Sequence, residues 1–155
     1  MEHHYEVNLS WDSDRKGKLT SPVLHESITV ATPPEFPKGM PGIWSPEHLL
    51  VASVSSCFMT TFLAIAENSK LTFESLNVGA SGKLEKVDNK FMITEITLCP
   101  VLVIQNTSDS ERALRILEKS EAACLISNSI KSKVILKAEI ATISSHQVSR
   151  FNVDF

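Results

Sequence analysis

Cysteine is scarce in this sequence, and any pairing among the thiols is missing. Cys57, Cys99 and Cys124 are odd in number, far apart, and contain no Cys-x-x-Cys. That spacing excludes a zinc knuckle, a thioredoxin-type motif and a secreted disulfide framework. A basic surplus is missing as well: 15 Lys and Arg stand against 18 Asp and Glu, a net charge of −3. Nucleic acid, which needs a basic surface, is therefore not expected as a partner. The opening stretch MEHHYEVNLSW has no basic patch leading into an apolar core, so no secretory signal is expected. His3 and His4 lack a further ligand cluster, and no metal is expected there. Thiols without an export signal point to the reducing cytoplasm.

Charge is absent from Leu49 to Ala66, a run at the lower limit for a membrane-spanning helix. Ser53, Ser55, Ser56, Thr60 and Thr61 dilute it. It reads as a central helix buried on every face, and no membrane is expected. What is present fits one domain over residues 1–155: 43% of the residues are apolar and 21% charged, as in soluble folded chains.

Tyr5, Val7, Leu9 and Trp11 alternate with polar residues, as in a half-buried strand. A polar turn ending at Gly17 follows, then strands near 18–24 and 27–31. From Thr32 to Trp44 the chain holds Pro33, Pro34, Pro37, Pro41, Gly39 and Gly42, which excludes helix and central strand. Loops that long in compact domains are often functional. Ser45-Pro46-Glu47 then opens a helix: Ser45 caps, Pro46 suits the first position, and Glu47 favours the positive dipole end. The helix is expected to run to about Asn68, followed by a strand at 72–84, a turn near Asp88-Asn89, and a strand at 91–104. Ser108-x-x-Glu111 is a capping-box pattern for a second helix reaching roughly Ser127, with Cys124 late in it. The last strand is expected at 133–142. Three strands, a helix, a hairpin, a helix and a strand predict an α+β fold with antiparallel sheets and two main helices. The first helix is too apolar for one small sheet to cover. It either fills the core alone or packs on a second chain, with Ala52, Ser53, Ser56, Thr60 and Ala64 permitting close approach.

Position alone leaves Cys57 and Cys124 open to two readings: small buried hydrophobes, or reactive thiols. Reactivity needs a stabilised thiolate, usually beside a cation. Arg112 and Arg115 fall on the exposed side of the second helix, Arg150 lies near the C-terminus, and Arg15 sits in the first turn. An arginine held for such work pairs with a carboxylate, and Glu47 is the candidate. Ten residues separate Glu47 from Cys57, about 15 Å along a straight helix. The two side chains cannot touch, and a long arginine or another copy of the chain has to bridge them. Cys99, just before Pro100, has nothing ionisable beside it and is expected to be inert.

Ser45-Pro46-Glu47-His48-Leu49-Leu50, continuing to Cys57-Phe58, resembles the helix signature of the OsmC/Ohr family of osmotically inducible and organic-hydroperoxide-resistance proteins. Cys124-Leu125-Ile126-Ser127-Asn128-Ser129 resembles its second cysteine segment. The resemblance implies an OsmC-like fold, an intertwined homodimer, and a thiol-dependent peroxidase reducing organic hydroperoxides, or hydrogen peroxide, to alcohols. In that implied scheme Cys57 is the peroxidatic nucleophile and Cys124 the resolving thiol, the two forming a disulfide. Arg15 stabilises charge and Glu47 orients Arg15. No cofactor is implied beyond an external thiol or dithiol of lipoyl type as reductant. The competing readings are a non-catalytic dimeric module that binds an apolar ligand or senses oxidation, and a domain whose cysteines only pack.

Overall fold

The computed structural model describes residues 1–143, so Arg150 lies outside the described residues. The chain divides into two compact units, Met1–Leu50 and Val51–Phe155. In the first, β1 (Asn8–Ser13), β2 (Lys16–Ser21) and β3 (Leu24–Ala31) form an antiparallel meander. The β1–β2 turn is Asp14-Arg15, tight enough that Asp14 takes φ 49°, a conformation that aspartate tolerates better than most side chains. Opposite Trp11, Gly17 is required by crowding: a Cβ there would lie 2.9 Å from the Ser10 carbonyl oxygen.

The alternation expected of a half-buried strand is present in β1, yet the strand is open to solvent. Leu9 is 64% exposed and Trp11 77% exposed. The proline-rich loop is folded rather than extended, because its backbone groups find partners. Thr32 N–H donates to the Arg15 carbonyl (3.2 Å), Met40 N–H to that of Thr32 (2.9 Å), and Ala31 N–H to that of Trp44 (2.8 Å). Gly39 makes this closure possible, since a Cβ would stand 2.0 Å from the Pro33 oxygen.

Helix α1 (Pro46–Asn68) starts in the first unit and runs through the second. Its ends fall where the capping residue and the loss of apolar character place them. Burial on every face is not observed: Val54, Phe58, Phe62 and Ala66 form one buried stripe at intervals of four, while Met59 and Leu63 are exposed. Only 22% of its most apolar window is buried, and its length and composition alone match a membrane span. Hydrophobicity told what the helix can bury, not what one chain supplies to cover it.

The second unit holds β4 (Ser75–Val87), β5 (Lys90–Ile104), α2 (Ser110–Ala122), β6 (Lys133–Leu136) and β7 (Glu139–Thr142). β4 and β5 form a long hairpin closed by Asp88-Asn89, both at positive φ (47° and 62°). That is the backbone of a type I′ turn, whose twist suits a hairpin. Ile96, Leu98 and Leu102 share the buried face of β5 and, with the α1 stripe and Ala113, Ile116 and Leu117 of α2, make the core. Phe62 meets Phe73 edge to face at 5.2 Å. Gly82 of β4 leaves room for α1, because a Cβ would fall 2.7 Å from Val51 Cγ2.

Two details depart from the sequence reading. The expected last strand is split: β6 pairs with Glu95 to Leu98 of β5 and β7 with Val101 to Ile104, both in parallel. The break falls opposite Pro100, which has no N–H for the ladder. Parallel pairing follows from the return path, since α2 carries the chain back to the start of the sheet. Second, α2 does not use the Ser108–Glu111 capping box. Ser108 lies in a 3₁₀ turn (Thr107–Asp109), and no side chain caps the helix start. The helix stops at Ala122 because Asn128 Nδ2 reaches back to the Ala122 carbonyl (3.2 Å) and satisfies it from outside. Cys124 is therefore not on a helix but in the turn beyond it.

Candidate active site

The N-terminus of α1 is built around Ser45, which is fully buried. Its Oγ accepts from the His48 backbone N–H (3.2 Å) and lies 2.7 Å from His48 Nδ1, which also accepts the Ser45 N–H at 3.3 Å. His48 thus plays the part usually taken by Glu in a capping box. The Ser45 N–H makes Nδ1 an acceptor, and the serine hydroxyl is then free to donate to the same nitrogen. His48 is a residue sequence reasoning passed over, although its place three residues after the capping serine was the available signal. Trp44 meets the His48 ring edge to face at 6.1 Å.

Glu47 follows in the first turn of α1. Its Oε2 is buried and has no hydrogen-bond partner among the described residues. Glu47 lines a cavity of about 800 Å³ together with Arg15, Leu9, Trp11, Val30 and Phe36. The backbone of Arg15 is held by the turn and the Thr32 bond, and the residue is exposed. The structure brings Arg15 and Glu47 to one apolar cavity, although no ion pair joins them among the described residues. Met40 lines a second, smaller hollow with Asp14, Arg15 and Lys38.

Cys57 and Cys124 come together in the second unit, both as free thiols. Cys57 projects from α1, half-buried, with Thr61 one turn on at 4.0 Å from its sulfur. Cys124 is fully buried in the turn after α2. Burial pushes the Cys57 thiol up, but donors outweigh it and hold the thiol below its ordinary value. In order, these are the Ile126 backbone N–H, the Cys124 thiol, the Thr61 hydroxyl and the Leu125 backbone N–H. For Cys124 burial prevails: its thiol is pushed up, opposed by the Ser127 hydroxyl and backbone N–H, and reinforced by Cys57.

The arrangement favours one arrangement of charge, a Cys57 thiolate receiving a proton-bearing Cys124. The sequence reading looked for a cation beside Cys57. Among residues of the second unit, the donors found instead are backbone amides and hydroxyls, and the segment carrying Cys124 supplies most of them. The run Ile126-Ser127-Asn128-Ser129, poor in helix formers, was the available sign that Cys124 precedes a turn.

The remaining candidates fall elsewhere. Cys99 is exposed on β5. Arg112 is part-exposed on α2, with its guanidinium turned to the end of α1. It donates to the Ser69 carbonyl (2.9 Å) just past the end of α1 and pairs with Asp109 at 3.5 Å, a cation at the negative end of a helix. Arg115 lies in the solvent beside Glu111. Among the described residues no cluster of three His, Cys, Asp or Glu could hold a metal.

Residues 39–139 match the family model described as OsmC-like protein. The uncharacterized protein YmaD of Bacillus subtilis is 27% identical over 146 residues, covering 89% of this chain and 93% of its own. The peroxiredoxin OsmC of Escherichia coli is 27% identical over 148 residues, covering 90% and 99%. An OsmC-like protein of unknown function from Vibrio cholerae superposes with a TM-score of 0.80 at 23% identity, over 88% of this chain and 99% of that one.

Proposed function

The chain belongs to the OsmC-like family, and on that premise we propose that it is a thiol-dependent peroxidase that reduces organic hydroperoxides to alcohols. The observation that carries this reading is the meeting of Cys57 and Cys124 with their acidities displaced in opposite directions. A low-pKa thiol is the nucleophile a peroxide requires, and a neutral thiol beside it resolves the product.

The Cys57 thiolate attacks the terminal peroxide oxygen. The O–O bond breaks, the sulfur becomes a sulfenic acid, and the departing alkoxide takes a proton to leave as alcohol. The Cys124 sulfur then attacks the Cys57 sulfur, forming the disulfide and releasing water. An external thiol or dithiol, of lipoyl type, supplies two electrons and two protons to restore both thiols.

Arg15 and Glu47 enter through the family resemblance, Arg15 to stabilise thiolate and alkoxide, Glu47 to hold its guanidinium. Their shared cavity supports the assignment. A homodimer in the cytoplasm completes the reading, in which separate chains can contribute to one site. Large apolar side chains left open in each unit, Leu9 and Trp11 in the first and Met59 and Leu63 in the second, favour it.

Intact mass after cumene hydroperoxide tests the proposal. A loss of two hydrogens mapping to Cys57–Cys124 is expected, and Cys57→Ser must abolish it. Peroxide consumption by Cys57→Ser equal to that of the parent, with a dithiol present, rejects it. The apolar lining of the 800 Å³ cavity favours a second reading, a module that binds an apolar ligand. Ligand retention without thiol oxidation would select that one.

A further inference from the structure

Ser127, whose hydroxyl and backbone N–H favour ionisation of Cys124, takes no part in any step of the scheme above. It opens the 3₁₀ turn Ser127–Ser129, three residues past Cys124. Its Oγ is shut off from water and has no hydrogen-bond partner among the described residues. A buried hydroxyl left in that state costs stability, which a purely packing role would avoid with alanine. The turn is held around it: Asn128 N–H donates to the Cys124 carbonyl (3.1 Å), Ser129 N–H to that of Ile126 (3.0 Å), and Asn128 Nδ2 to that of Ala122 (3.2 Å). These bonds fix the backbone that carries the hydroxyl. Three residues before it, in the same hydrogen-bonded turn, stands the fully buried Cys124, whose ionisation the Ser127 hydroxyl favours.

Resting on the peroxidase reading, we propose that Ser127 is a catalytic residue of the resolution step, its hydroxyl donating to the Cys124 sulfur as that sulfur loses its proton. The need for such a donor follows from the burial of Cys124. A fully buried thiol resists ionisation, and the thiolate is the form that attacks. In the step itself the Cys124 S–H proton leaves, and the sulfur pair attacks the Cys57 sulfenic sulfur. The S–S bond forms as the S–O bond breaks, and the departing hydroxide takes up a proton as water. Negative charge is concentrated on Cys124 Sγ just before attack, so a donor idle in the resting thiol becomes engaged when it is needed. Ser127 also lowers the acidity barrier at Cys124 while the neighbouring Leu125 and Ile126 amides serve Cys57. One short segment therefore serves both sulfurs.

The experiment separates the two steps. Parent, Ser127→Ala and Ser127→Thr are mixed with one equivalent of cumene hydroperoxide, and sulfenic acid trapped by dimedone is followed by mass alongside the disulfide. Ser127→Ala is expected to form sulfenic acid at the parental rate, to convert it to disulfide about tenfold more slowly at neutral pH, and to shift that step's pH profile upward. Ser127→Thr, which keeps the hydroxyl, is expected to restore the rate. Disulfide formation by folded Ser127→Ala at the parental rate and pH profile overturns the proposal. A second measurement stands apart from peroxidase activity. In Cys57→Ser/Cys99→Ser protein, Cys124 is the sole thiol, and its ionisation is read from ultraviolet absorbance at 240 nm. Adding Ser127→Ala should raise the midpoint by about one pH unit, the size of one hydrogen bond to a charged group. An unmoved midpoint overturns the assignment even if the parent proves to be a peroxidase. A parent that forms no sulfenic acid refutes the peroxidase reading and, with it, the proposed resolution role.

Discussion

Replacing Ser45 with alanine removes two interactions at once from a residue that is fully buried. The Oγ that accepts the His48 N–H at 3.2 Å is lost, and so is its contact with His48 Nδ1 at 2.7 Å. Loss of an N-cap of this kind costs about 1 kcal/mol. The second bond adds about 1 kcal/mol, because water cannot reach the vacated site to replace it. Ser45→Ala is thus expected to lower stability by about 2 kcal/mol in urea unfolding. For a chain of this size that is a fall in Tm of roughly 4–8 °C. His48→Ala keeps the serine acceptor for the backbone but loses both bonds onto Nδ1, and should cost about 2 kcal/mol. Because the two side chains share one bond, the double variant should cost about 3 kcal/mol rather than the additive 4. Strict additivity, or a Ser45→Ala variant within about 0.5 kcal/mol of the parent, refutes the reasoning that this pair holds the start of α1.

Other expectations follow from the same geometry. Cys57 should be alkylated by iodoacetamide at pH values below those of an ordinary thiol, since its donors favour the thiolate. Thr61→Val removes one donor, so the midpoint should rise and the rate at fixed lower pH should fall; an unmoved midpoint contradicts the role given to Thr61. Phe62→Ala deletes a fully buried ring and its edge-to-face contact with Phe73, at a cost of about 3–5 kcal/mol by urea unfolding. Gly82→Ala forces a methyl to within 2.7 Å of Val51 Cγ2, which should cost about 1–3 kcal/mol. Val51→Ala should relieve that cost in a double-mutant cycle, and its failure to do so would show that the strain lies elsewhere.

Local chemistry was legible from residue order alone. Pro46 and Asn68 bound α1 as read, because capping serine, N1 proline and the end of the uncharged run are properties of neighbours in sequence. The Asp88-Asn89 turn and the loop from Thr32 to Trp44 were legible for the same reason: proline and tight turns restrict the backbone wherever they stand. The two cysteine segments carried the family.

Whatever depends on distant partners was decided by tertiary structure. The end of α2 at Ala122 depends on an Asn128 side chain folding back, so Cys124 moved from a helix into a turn. The direction of β6 and β7 depends on the path of α2, and the gap between them on Pro100 in a different strand. How much of α1 is covered depends on what packs against it, which hydrophobicity does not state. The acidities of Cys57 and Cys124 belong to this class as well. Two thiols 67 residues apart are displaced in opposite directions because the fold sets backbone amides and a buried hydroxyl around them. Residue identity supplied two thiols, and burial with donor placement decided which of them ionises more readily.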